Sequence, residues 1–120
     1  MRLPLSLAFV ATTLAVVASA SCAATIAAPV VTPSGVRFVL MQAEASSVTV
    51  AGSFNQWSAS AHPLARGSSR GLWTGVLALP PGEHLFMYVV NGSEWISPPL
   101  AEDYVDDGFG SKNGVVVVRP

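Results

Sequence analysis

From Gly35 onward no apolar run carries a period of 3.6 for long enough to make a trusted helix, and this constrains the fold more than anything else in the chain. Val36 to Met41 alternates, with Phe38 and Leu40 on one face and Arg37 and Val39 on the other. After the polar turn Ala43 to Ser47, Val48 to Ala51 alternates again and breaks at Gly52 into a Ser-Phe-Asn corner that ends on Trp57. Leu72 to Leu79 is apolar on both sides, Pro80, Pro81 and Gly82 force a turn, and Glu83 to Val90 is the longest strand candidate. Asn91-Gly92 is a strong hairpin signal into Glu94 to Ile96, and Val115 to Val118 closes the series. Short strands at this spacing predict an all-β Greek-key sandwich of about six to eight strands.

The chain of 120 residues has room for one such core. Its hydrophobic share of 51% is inflated by the beginning, where Met1 and Arg2 precede an apolar run from Leu3 to Ala18 that ends in Ala18-Ser19-Ala20. A basic start, an apolar stretch shorter than the ~20 residues that span a bilayer, and a small-x-small exit predict a cleaved export signal over residues 1–21, cut near 20–22. Cys22, the only cysteine, follows small residues as the acylated cysteine of a bacterial lipobox does, although Ser19 stands where an aliphatic residue is usual. The two readings are lipidation of Cys22, with anchoring in the membrane, or a free thiol near a loose terminus. Either way the protein is expected outside the cytoplasm: a periplasmic or cell-envelope lipoprotein, or a secreted protein. Residues 22–33, rich in Ala, Thr, Val and Pro, read as a linker to a domain spanning 34–120.

From Cys22 onward five basic residues face seven acids, which leaves no basic patch for nucleic acid. Recognisable nucleophile motifs and Gly-rich phosphate loops are missing from the sequence, so a non-catalytic protein without a cofactor is expected. His62 and His84 fall in turn regions without a second ligand at metal spacing. Glu102, Asp103, Asp106 and Asp107 do not match the EF-hand spacing and read as a solvated loop.

The tryptophans carry the question of function. Trp73 alternates with Leu77 and Leu79 and reads as core. Trp57 and Trp95 each follow a turn, and their residues alone allow two readings: caps on the ends of the core, or exposed flat platforms. Phe86, Tyr88 and Val90 form an inward face of the long strand and leave Leu85, Met87 and Val89 for the other. Asn113 can donate and accept at once, for a ligand or for the backbone of its Gly-rich turn. Phe109 can fold over a bound chain or pack on the sandwich end.

Phe38 to Ala45, Val48 to Trp57, Trp73 to Leu79, Pro81 to His84, Phe86 to Gly92, Trp95 and Gly110 to Val118 together resemble carbohydrate-binding module family 48. This is the early-set, immunoglobulin-like module found beside starch-debranching and glycogen-branching catalytic barrels and in the β subunit of AMP-activated protein kinase. The resemblance implies binding of α-1,4-glucans by two tryptophans, which fall on Trp57 and Trp95, the latter with one extra residue in its hairpin. A loop near the last strand contributes further contacts, and its positions fall on Phe109, Ser111 and Asn113. The family's lysine does not carry over, because Met87 occupies its place and offers an apolar contact instead. The expected partner is therefore an α-glucan polysaccharide or oligosaccharide. The alternative is an envelope protein-interaction or structural module that uses the same fold without binding sugar.

Overall fold

The computed structural model describes residues 27–120. The expected export signal and Cys22 lie outside the described residues. Among the described residues nine strands follow one another: β1 (Val30–Thr32), β2 (Gly35–Met41), β3 (Val48–Gly52), β4 (Ala65–Arg66), β5 (Leu72–Leu77), β6 (Gly82–Val90), β7 (Glu94–Ile96), β8 (Asp103–Asp106) and β9 (Lys112–Val118). They form two antiparallel sheets, one in the order β1-β2-β5-β4, the other in the order β3-β6-β9-β8 with β7 also paired to β6. The fold is the expected all-β sandwich of immunoglobulin-like, early-set type.

The sheets pack face to face because each strand alternates. Val36, Phe38 and Leu40 are buried while Arg37 between them is exposed. Phe86, Tyr88 and Val90 supply the opposing face. Phe38 meets Phe86 edge-on at 5.1 Å, and Phe86 meets Tyr88 edge-on at 5.6 Å. Such pairs add about 0.5 to 1.5 kcal/mol each beyond the area they bury. The Tyr88 hydroxyl donates to the Val39 carbonyl across the sandwich at 3.2 Å. Trp73 lies in the core as its spacing predicts, and its ring N–H donates to the Gln42 carbonyl at 3.1 Å.

Three strands were not anticipated. β1 falls in the stretch read as linker, where neutral Val30 and Val31 are exposed and take their order from pairing with β2. β4 is two residues long and owes its extended form to β5. β8 lies in the stretch read as a solvated acidic loop; its exposed Asp103 and Asp106 are tolerated because it is an edge strand with one partner, β9. β9 also begins earlier than the valine run suggests, so Asn113 is a strand residue opposite Val105 rather than part of a turn.

β6 organises the second sheet. β3 runs along one of its edges through Val48↔Val90 to Gly52↔Phe86. Its other edge is divided between β9, which pairs with Gly82 to Phe86, and β7, which pairs with Tyr88 to Val90.

Candidate functional site

The corner after β3 is built residue by residue. A side chain at Gly52 would run into the Leu85 carbonyl and the Phe54 ring, so the backbones of β3 and β6 approach there as only glycine allows. Ser53 continues the ladder: its N–H donates to Leu85 O at 2.9 Å, and its hydroxyl accepts from Leu85 N at 3.0 Å. Phe54 turns inward, with its ring 6.0 Å from that of Phe38 and 6.1 Å from both His62 and His84.

Asn55 is buried and closes the corner. Its Oδ1 accepts from Gly52 N at 3.0 Å and from Ser58 N at 3.3 Å, and its Nδ2 donates to Val50 O at 3.0 Å and to His62 Nδ1 at 2.8 Å. These bonds hold Gln56 and Trp57 at φ of 54° and 57°, a left-handed pair that side-chain-bearing residues adopt at a cost. The Trp57 N–H closes the turn onto Gly52 O at 2.9 Å. The half-buried indole is thus placed by a rigid loop.

The outward face of the second sheet receives this indole. Phe86, Tyr88 and Val90 point into the core, so Leu85, Met87 and Val89 point away from it. Register sets Ala51 opposite Met87, Trp95 opposite Val89 and Val115 opposite Leu85. An open cavity of about 510 Å³ lies on this face, lined by Trp57, Leu85, Met87, Trp95, Asp107, Phe109 and Asn113. Met87, only 6% exposed, forms its floor. Trp95 is 42% exposed and Phe109 is 93% exposed, so neither ring is a core plug and Phe109 does not pack on the sandwich end.

Five of the six residues expected at a binding site are brought together here: Trp57, Trp95, Phe109, Asn113 and Met87. Ser111 does not line the cavity. It is exposed, and its backbone closes the turn between β8 and β9: its carbonyl accepts from Asp107 N at 3.0 Å, and its N–H donates to Asp107 Oδ1 at 3.1 Å. Phe109 N donates to the same oxygen at 2.7 Å. Asp107 therefore belongs to the site rather than to a solvated loop. Sequence reasoning did not single out Leu85 or Asn55, although Leu85 was on the right face by alternation. A polar side chain in the tight corner was the available signal for Asn55.

A second concavity of about 500 Å³, lined by Glu44, Arg66, Ser68, Ser69 and Arg70 among others, has no aromatic wall. Arg66 instead stacks on the Trp73 ring at 4.6 Å.

An antiparallel sandwich that presents two indoles around an open apolar cavity on one sheet face has the form of a carbohydrate-binding module. The family described as "Glycogen recognition site of AMP-activated protein kinase" matches residues 36–120, and the chain belongs to it. Over 72 residues it is 36% identical to the 5'-AMP-activated protein kinase subunit beta-1 of Sus scrofa, covering 60% of this chain and 54% of that protein. Over 60 residues it is 37% identical to the 1,4-alpha-glucan branching enzyme GlgB of Oceanobacillus iheyensis, covering 50% of this chain and 9% of the enzyme. The match thus spans about half of one relative and a small part of the other.

Proposed function

We propose that the chain is a non-catalytic module that binds α-glucans, such as glycogen, starch or malto-oligosaccharides, in the cavity between Trp57 and Trp95. The observation that carries this reading is the convergence of two accessible indoles from separate elements on one apolar floor, with Asn113 between sheet and rim. The faces of glucose rings that bear axial hydrogens are apolar, and two indoles on different elements suit a curved chain. Asn113 supplies both a donor and an acceptor for vicinal hydroxyls. Exposure of Trp95 and partial exposure of Trp57 favour a sugar platform over a structural module in which both would be buried.

Two stacked rings and a few hydroxyl contacts in a shallow site correspond to roughly −4 to −7 kcal/mol, or about millimolar to ten micromolar dissociation constants. Calorimetry against glycogen and a cyclic malto-oligosaccharide, with cellulose as control, tests the reading: heat with the first two and none with cellulose is expected. Equal response to all three, or to none, would sink it.

The same proposal places the protein outside the cytoplasm, supported by the basic start, apolar run and small-residue exit of residues 1–20. Lipidation at Cys22 would tether the module at a membrane. Mass spectrometry of the mature N-terminus distinguishes an acylated Cys22 from a free one and from an uncleaved chain.

A further inference from the structure

Among the described residues, Asp107 is the one ionisable residue that lines the aromatic cavity. Its orientation is set, because Oδ1 accepts from Phe109 N at 2.7 Å and Ser111 N at 3.1 Å, which leaves Oδ2 as the oxygen for an incoming hydroxyl. The charges around it do not offset it. Asp103 lies opposite Val115 and Glu83 opposite Val117, on the same outward face of the sheet. Lys112 alternates with Asn113 and so departs from the other side of β9. Arg119 pairs with Glu102 at 3.5 Å, Arg37 and Arg66 belong to the first sheet, and Arg70 belongs to the loop joining its strands. The faces of Trp57 and Trp95 are themselves the negative side of the aromatic quadrupole.

Given the α-glucan reading above, we propose that Asp107 is a specificity-determining residue that makes the cavity select uncharged glucan chains over chains bearing phosphate esters. A neutral glucosyl unit can donate a hydroxyl hydrogen to Oδ2. A phosphate monoester brings about 1.5 to 2 negative charges at neutral pH and meets no cation among the lining side chains, only the neutral N–H donors of Asn113, Trp57 and Trp95. Met87 reinforces this selection, since the floor beneath the chain carries no cation. Like-charge repulsion across several ångströms of partly wet surface corresponds to about tenfold or more in dissociation constant at low salt, and it is screened as ionic strength rises.

The test uses the full chain, with maltoheptaose and its 6-phosphorylated derivative as probes in calorimetry at low and high salt. The wild type is expected to bind the phosphorylated probe about tenfold more weakly than the neutral one, with a smaller gap at high salt. Asp107→Asn retains an Oδ1 acceptor for the two backbone N–H groups and removes the charge, so the ratio of the two constants should fall to about twofold or less. Equal binding of both probes by the wild type, or an unchanged ratio in Asp107→Asn, overturns this inference alone. Failure of the wild type to bind neutral maltoheptaose overturns the α-glucan reading and this inference with it. The salt dependence of the wild-type ratio needs no variant, so a gap that rising salt leaves unchanged overturns the inference even if Asp107→Asn folds poorly.

Discussion

Asn55 Nδ2 donates to His62 Nδ1 across 2.8 Å, which fixes the imidazole proton on Nε2 and joins the corner after β3 to the segment that flanks that strand. The same segment holds β3 at two further points, where Leu64 N donates to Val48 O at 2.8 Å and Val50 N donates to His62 O at 3.1 Å. The Trp57 loop and the covered edge of β3 are therefore one unit.

Asn55→Ala should destabilise the domain by about 2 to 4 kcal/mol, because it strands Gly52 N and Val50 O in a buried place and releases a left-handed pair. His62→Ala loses one bond of the four and some contact with Phe54, and should cost about 1 to 2 kcal/mol. Urea unfolding of the two variants checks the order; a larger loss for His62→Ala would contradict the role given to Asn55.

The three tryptophans should separate cleanly. Trp95→Ala is expected to leave the unfolding midpoint near wild type and to cost about 2 kcal/mol of glycogen affinity, a loss of roughly thirtyfold. Trp73→Ala should cost about 3 to 5 kcal/mol of stability, because it empties a buried site and removes one of the two N–H donors to the Gln42 carbonyl, leaving only Ala45 N. Among molecules that remain folded, glycogen affinity should be close to wild type. Paired denaturation and binding measurements on the two variants would show a mistake if both lost the same property.

Gly114→Ala should be costly although it sits in a strand. A Cβ there would lie 2.9 Å from Phe86 Cε1 and closer still to the Pro98 ring, so the core must shift to admit it. A loss of about 1 to 3 kcal/mol is expected, read as a lower thermal midpoint. Gly92→Ala meets no neighbouring atom but sits at a φ of 78°, so its cost is backbone strain of about 1 kcal/mol with an intact core. Near-ultraviolet circular dichroism separates the two, since only the first should disturb the aromatic signal of Phe86 and Tyr88.

Burial pushes the Tyr88 phenol well above its ordinary value. The unfolded chain therefore releases this proton first as the solution becomes alkaline. The contribution is fully present below about pH 10, the ordinary phenol value, and is lost progressively above it. Tyr88→Phe should cost about 1 kcal/mol at neutral pH and show a shallower decline of stability from about pH 10 to 12. Urea midpoints across that range decide it; parallel declines for both proteins would show that Tyr88 is not responsible.

Much of this architecture was legible in the sequence because alternation is a local signal. Phe38 and Leu40 against Arg37, and Phe86 and Tyr88 against Leu85 and Met87, follow directly from a period of two. β1, β4 and β8 were not legible because two to four residues carry no measurable period and their extended form comes from a partner distant in sequence. Ala65, for example, is extended because Thr74 lies opposite it. At the site, the tryptophans and Asn113 were legible through the family resemblance. Asp107 was not, because the direction of a loop carboxylate depends on which backbone N–H groups it meets.

The handover from β9 to β7 along one edge of β6 has a consequence for how this chain can vary in length. The two strands pair with β6 over separate spans, β9 as far as Phe86 and β7 from Tyr88. A residue gained or lost in the Asn91-Gly92 hairpin therefore re-registers the three rungs from Tyr88 to Val90 and stops there. Insertions there can move Trp95 and leave every rung of β9 in place, and the part of the core they disturb is the contact made by Ile96. An edit of that kind makes the height of the Trp95 ring over the cavity an independently adjustable dimension of this face of the sheet.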